Sequence, residues 1–109
     1  MKTRQRSCSI TLITCPDRRS AQRIASALVE ARLAACVNLV PGLTSIFRWE
    51  GRLQKAGEVL LIAKSSTRCF PALVKAVRRL HPYTVPEIIR LPITAGFPGY
   101  LKWLKKESK

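Results

Sequence analysis

The chain has 109 residues, enough for a single domain spanning 1–109, and 47% of them are hydrophobic, which excludes a disordered polypeptide. Twenty lysines and arginines face six acids, for a formal net charge of +14. No stretch approaches the roughly 20 apolar residues of a membrane-spanning helix, and the basic residues are spread along the chain, so charge alone gives weak grounds for a nucleic-acid partner.

Residues 1–6 are expected to be a flexible basic segment. The start "MKTRQRSCSITLITC" has the basic-then-apolar order of a secretion signal, but its apolar run is short and broken by Ser and Thr. Ser7–Thr14 instead alternates and is β-branched at Ile10, Thr11, Ile13 and Thr14, which predicts a strand. Pro16 and Asp17 supply turn and helix-start chemistry. Ala21, Ile24, Ala25 and Leu28 then recur at helical spacing, so Arg18–Arg32 reads as an amphipathic helix.

Ala35–Val40 is a second strand, with Pro41–Gly42 as a bulge or kink before it continues over Thr44–Glu50. "EGRLQKAG" reads as a hairpin loop. Glu58–Ser65 is the returning strand, and its apolar run Val59–Ala63 is expected to be buried on both faces. Ser66 or Thr67 is placed to cap a second helix with Pro71 in its first turn. His81–Pro82 ends that helix, because proline disfavours helix in the residue before it. Glu87–Ile93 is a fourth strand, and Tyr100, Leu101, Trp103 and Leu104 mark a short terminal helix.

The order β-α-β-β-α-β predicts an α+β, ferredoxin-like domain, an antiparallel four-stranded sheet with two helices on one face. The other face then carries apolar side chains without a helix to cover them. Such a surface points to self-association.

Cys8, Cys15, Cys36 and Cys69 form no CxxC and no zinc-type spacing, which fits a reducing compartment, taken as the cytoplasm. No phosphate loop, HExxH or GxSxG occurs, and nothing marks an enzyme. The aromatic pattern of RNA-binding sheets is absent from Val59–Ala63. Acylphosphatase chemistry is mimicked loosely by Arg18 and Asn38, without the glycine-rich loop it needs. The single histidine, His81, reads equally as a helix terminator bonding a backbone carbonyl and as part of a rigid pocket wall with Tyr83 and Glu87.

Four blocks, "ARLAACVNLVPGLTSIFRWEG", "EVLLIAKS", "HPYTVPEIIRLPI" and "GYLKWL", resemble the CutA divalent-cation-tolerance family in order and spacing. The resemblance implies a non-enzymatic homotrimer with PII-like architecture, sheets packed around a threefold axis and ligands in clefts between subunits. It implies tolerance of copper or another divalent metal, by binding or signalling. By motif match it places Trp49, Lys64, His81, Tyr83, Glu87 and Trp103 in the inter-subunit cleft. Cys15 lies near a position where relatives carry a proposed copper ligand, and a Cys15 thiolate with the His81 imidazole would suit copper or zinc. Phe47 stands where the family commonly has tyrosine, and Thr84 where it often has an acid. The alternative implied by the PII likeness is a sensor of a small anionic ligand held by Lys64 and nearby arginines, which the +14 charge favours. Nucleic-acid binding through the basic surface ranks third.

Overall fold

Alternation shapes the first strand, β1 (Cys8–Cys15), whose odd-numbered side chains turn inward. It belongs to a computed structural model that describes residues 7–109; the expected flexible segment 1–6 lies outside the described residues. Helix α1 (Arg18–Glu30) follows, started by Asp17, whose Oδ1 accepts from the Ser20 amide at 2.8 Å. It stops short of the expected Arg32, because Arg32 takes a left-handed φ of 59°. The Arg32 guanidinium instead donates to the Lys106 carbonyl at 2.6 Å.

Strands β2 (Cys36–Trp49) and β3 (Arg52–Ser66) form a long antiparallel ribbon. The expected bulge lies between Val40 and Leu43, with Gly42 at φ 82°. The expected loop "EGRLQKAG" is a correction. Glu50 (φ 51°) and Gly51 (φ 76°) make a two-residue turn, and Trp49 pairs with Arg52, so residues 52–57 are strand. Positive φ at both turn residues matches the twist of the flanking strands and lets the ribbon close tightly.

A 3-10 turn (Thr67–Cys69) leads into α2 (Phe70–Leu80). The expected Ser66 or Thr67 side-chain cap is not made; the Thr67 hydroxyl meets Ser9 Oγ at 2.6 Å instead. Strand β4 (Ile88–Pro92) and helix α3 (Pro98–Glu107) complete the chain. The sheet order is β2-β3-β1-β4, all neighbours antiparallel, as the βαββαβ reading requires.

The core lies between one sheet face and the two long helices. Ile13, Leu61 and Ala63 meet Ile24 and Leu28 of α1 and Leu73 and Val77 of α2, all fully buried. The alternate side chains face away. Register pairs Ile10 with Leu91, and Leu12 with both Ile62 and Ile89, on that second face. Ile89 and Leu91 stay about half exposed, at 50% and 48%. Val59–Ala63 is therefore not buried on both faces within one chain: Val59, Leu61 and Ala63 are buried, while Leu60 and Ile62 are partly open. Helix α3 packs against β3 and β1 near the Cys8–Ser66 end of the sheet. Its Leu104 is fully buried, and Ser108 Oγ joins the Ser66 amide at 2.8 Å.

Candidate functional site

The site grows from the other end of the open sheet face. There β1 runs out at Cys15, β3 begins its buried stretch at Glu58, and the segment Pro82–Glu87 turns over the gap. A cavity of about 730 Å³ results, walled by Phe47, Trp49, Tyr83 and Val85 and carrying Thr14, Ser45, Glu58 and Glu87 as polar groups. Among the described residues no lysine or arginine lines it.

His81 builds this wall. Its ring is buried, with Nε2 at 2.7 Å from the Thr14 carbonyl and Nδ1 accepting from the Tyr83 amide at 3.1 Å. A carbonyl oxygen only accepts and a backbone N–H only donates, so this arrangement holds the neutral Nε2–H tautomer. The ring also lies 4.8 Å, centroid to centroid, from Tyr83. His81 thus ends α2 and ties the next segment to the tip of β1. Both ring nitrogens are engaged.

Tyr83 carries the tie onward. Its hydroxyl donates to Glu58 Oε2 at 2.6 Å, a short bond of the charge-assisted kind. Burial, followed by that bond and the negative charge of Glu58, pushes the Tyr83 phenol up to about 12. Cys15 is fully buried next to the same corner; desolvation, then Asp17 and Glu58, raise its thiol to about 11. The two shifts share a cause in local negative potential, within a chain of net charge +14.

The six residues implied for a cleft divide into two groups. Trp49, Tyr83 and Glu87 line the cavity, with His81 behind them. Lys64 and Trp103 stand elsewhere: Lys64 Nζ is 6.0 Å from the Tyr100 ring, which lies 5.6 Å from that of Trp103. Lys64 is six positions along β3 from Glu58, about 20 Å at strand rise. Glu58 is the residue that sequence reasoning missed. Its signal was present, as one of only six acids placed directly before the chain's most apolar strand.

A thiolate–imidazole metal pair at Cys15 and His81 does not fit this conformation. The thiol is buried and held protonated, and the imidazole has no free nitrogen. Among the described residues no group of three or more His, Cys, Asp or Glu side chains is gathered as a metal would need. No helix among them is long and apolar enough to cross a membrane.

Comparison with known proteins agrees with this architecture. Residues 9–107 match the family model described as CutA1 divalent ion tolerance protein. The chain is 54% identical over 99 residues to the divalent-cation tolerance protein CutA of Thermus thermophilus, covering 91% of this chain and 96% of that protein. It is 48% identical to protein CutA of Mus musculus, covering 94% of this chain but 58% of the mouse protein. The solved structure of the Thermus thermophilus divalent cation tolerance protein superposes with a TM-score of 0.92 at 53% identity, covering 94% of this chain and 99% of that one. The chain belongs to the CutA1 divalent ion tolerance family.

Proposed function

We propose that this CutA1-family chain serves divalent-cation tolerance by binding rather than catalysis, as a homotrimer whose ligand site is the Glu58–Tyr83–Trp49 cavity. One observation supports this reading above others: two of the chain's six acids line one cavity that no lysine or arginine among the described residues enters. Carboxylate oxygens suit hard divalent cations, with water completing the shell. Copper held by Cys15 and His81 would first require His81 to release the Thr14 carbonyl and the Tyr83 amide. The two carboxylates ask for no such opening. His81 bonds only backbone groups, so no hydroxyl or thiol is activated by it and the site is read as one that binds.

The open face supports self-association, and the family resemblance supplies the threefold form. Ile89, Leu91, Phe47 and Trp49 leave a broad apolar surface there, larger than scattered single residues would make. Packing the cavity end of one subunit against the Lys64–Trp103 end of its neighbour would reunite all six cleft residues. That arrangement alone favours the second reading, a PII-like sensor of a small anion, since it brings Lys64 to the cavity. Four free cysteines suit a reducing compartment, taken as the cytoplasm.

Calorimetric titration of the metal-free protein with manganese(II) and calcium(II), with copper(II) in a parallel arm, checks the reading. Glu58→Gln is expected to weaken binding at least tenfold. Equal affinity in that variant would remove the cavity from the metal site.

A further inference from the structure

Along the sequence the basic residues are scattered, with no run that reads as an arginine-rich helix. Folding gathers them. Helix α1 turns Ala21, Ile24, Ala25 and Leu28 into the core, and α2 does the same with Leu73, Ala76 and Val77. Arg19 and Arg23, one turn apart, therefore share the outer side of α1, and Lys75, Arg78 and Arg79 share that of α2. The two helices pack against each other. Arg23 Nη2 donates to the Leu80 carbonyl at 3.4 Å, so the first half of α1 lies beside the last turn of α2. With Arg18, six exposed basic side chains meet at this one end of the helix layer.

Little there opposes them. Helix α2 carries no acid. Asp17 is engaged with the Ser20 amide at 2.8 Å, and Glu30 lies seven residues beyond Arg23, about 10 Å along the helix axis. Glu58 and Glu87 line the cavity on the other side of the sheet. Arg18, Lys75, Arg78 and Arg79 have no hydrogen-bond or ion-pair partner among the described residues. Arg78 and Arg79 suit the negative end of the α2 dipole, but Arg18 and Arg19 stand at the positive end of α1, where cations are disfavoured. Like charges one turn apart, as in Arg19–Arg23 and Lys75–Arg79, also repel. Folding alone gives no reason to gather these groups.

The chemistry of the patch selects its partner. Five of the six are arginines, whose planar fork bonds phosphate oxygens in pairs. The axes of packed helices lie about 8–10 Å apart, on the scale of the roughly 6 and 12 Å widths of the grooves of a duplex. An anionic membrane asks in addition for apolar side chains to insert, and of the exposed large apolar residues only Val29 lies on α1 or α2. Neither helix exposes an aromatic ring on which an unpaired base would stack. The patch lies on the side of the sheet opposite the open face, so an assembly that covers that face leaves it accessible.

We propose that this end of the helix layer binds the sugar–phosphate backbone of a nucleic-acid duplex without reading its sequence. The inference is independent of the cavity and of metal tolerance. Net charge alone would spread such a contact over the whole surface; the fold confines it to Arg18, Arg19, Arg23, Lys75, Arg78 and Arg79.

The test is fluorescence anisotropy of the full chain with a duplex of about 20 base pairs, as DNA and as RNA, each in two unrelated sequences. About four to six phosphate contacts predict an affinity that falls roughly a hundredfold to a thousandfold between about 50 and 200 mM salt, and that differs by less than about threefold between sequences. Lys75→Gln with Arg78→Gln and Arg79→Gln should weaken binding by about tenfold or more and lower the slope of log affinity against log salt by about two to three. Lys102→Gln with Lys105→Gln and Lys106→Gln, which removes the same charge from α3, should weaken it by less than about threefold. Thermal melts confirm that both variants are folded. Duplex binding lost in the α2 variant alone supports the proposal, and the DNA and RNA arms show which backbone geometry the helix pair fits. Equal losses in the two variants overturn it in favour of diffuse charge. Absence of duplex binding overturns it, as does a preference of more than about tenfold between sequences. Vesicles of phosphatidylserine and phosphatidylcholine form a parallel arm: vesicle binding as tight as duplex binding assigns the patch to a lipid surface and overturns it as well.

Discussion

The two ends of the open sheet face are built from the same strands and finished in opposite ways. At one end α3 closes the sheet: Leu104 is fully buried, Ser108 is bonded to Ser66, and Lys64 stands over Tyr100. At the other end nothing closes it. The β2–β3 ribbon and the His81-tied segment leave a hollow with Glu58 and Glu87 and exposed rings. One end therefore spends its apolar side chains on folding. The other leaves them exposed, beside its acids. The difference shows where the closed and the open parts of the sheet meet along one β-strand, between Lys64 and Glu58.

The comparison breaks most visibly in stability. Leu104→Ala should destabilise by about 2–5 kcal/mol, the range for deleting a fully buried leucine. Val85→Ala on the cavity wall, where the side chain is 67% exposed, should change stability by no more than about 0.5 kcal/mol. Denaturant titration at one protein concentration measures both, since self-association would add a concentration term. Equal costs would erase the distinction between the ends.

His81→Ala should come next, at about 1–3 kcal/mol, because the Thr14 carbonyl and the Tyr83 amide both lose a buried partner. It should also slacken the cavity wall, which hydrogen exchange at the Tyr83 amide would register as faster exchange. Unchanged protection there would mean that Pro82–Glu87 is held by something other than His81.

The smallest effect is a pH dependence at Tyr83. The folded phenol titrates near 12 against an ordinary value of 10.0, so the folded state holds its proton more tightly than the unfolded one. The stabilisation is complete below about pH 10 and is lost as pH rises through about 12. Across that window the wild type should lose stability faster than Tyr83→Phe. Parallel curves would mean that neither burial nor the Glu58 bond perturbs the phenol.

The fold was largely legible because the periodicities are strong. Ile10 to Ile13 alternate, Ala21 to Leu28 repeat at helical spacing, and Pro82 stops α2 where a stop was expected. The hairpin was misread because glycine and charge in "EGRLQKAG" look like a loop, whereas two left-handed residues, Glu50 and Gly51, suffice to turn the chain. The site was legible only in part. Trp49, Tyr83 and Glu87 were picked out and do meet at one cavity. Glu58 was missed because its partner lies 25 residues away, and the bond of His81 to Thr14 spans 67. Pairings across such separations are set by register, which side-chain pattern constrains and does not name. The separation of Lys64 from the cavity has the same origin, since it depends on where β3 stands relative to the tip of β1.

Native mass spectrometry without added metal tests the central claim most directly, that the open face and its cavity belong to an assembly. The account predicts a single species at three times the 12.2 kDa chain mass, persisting at micromolar concentration. A monodisperse monomer would contradict it, leaving the apolar face without an occupant and the cavity without its second wall.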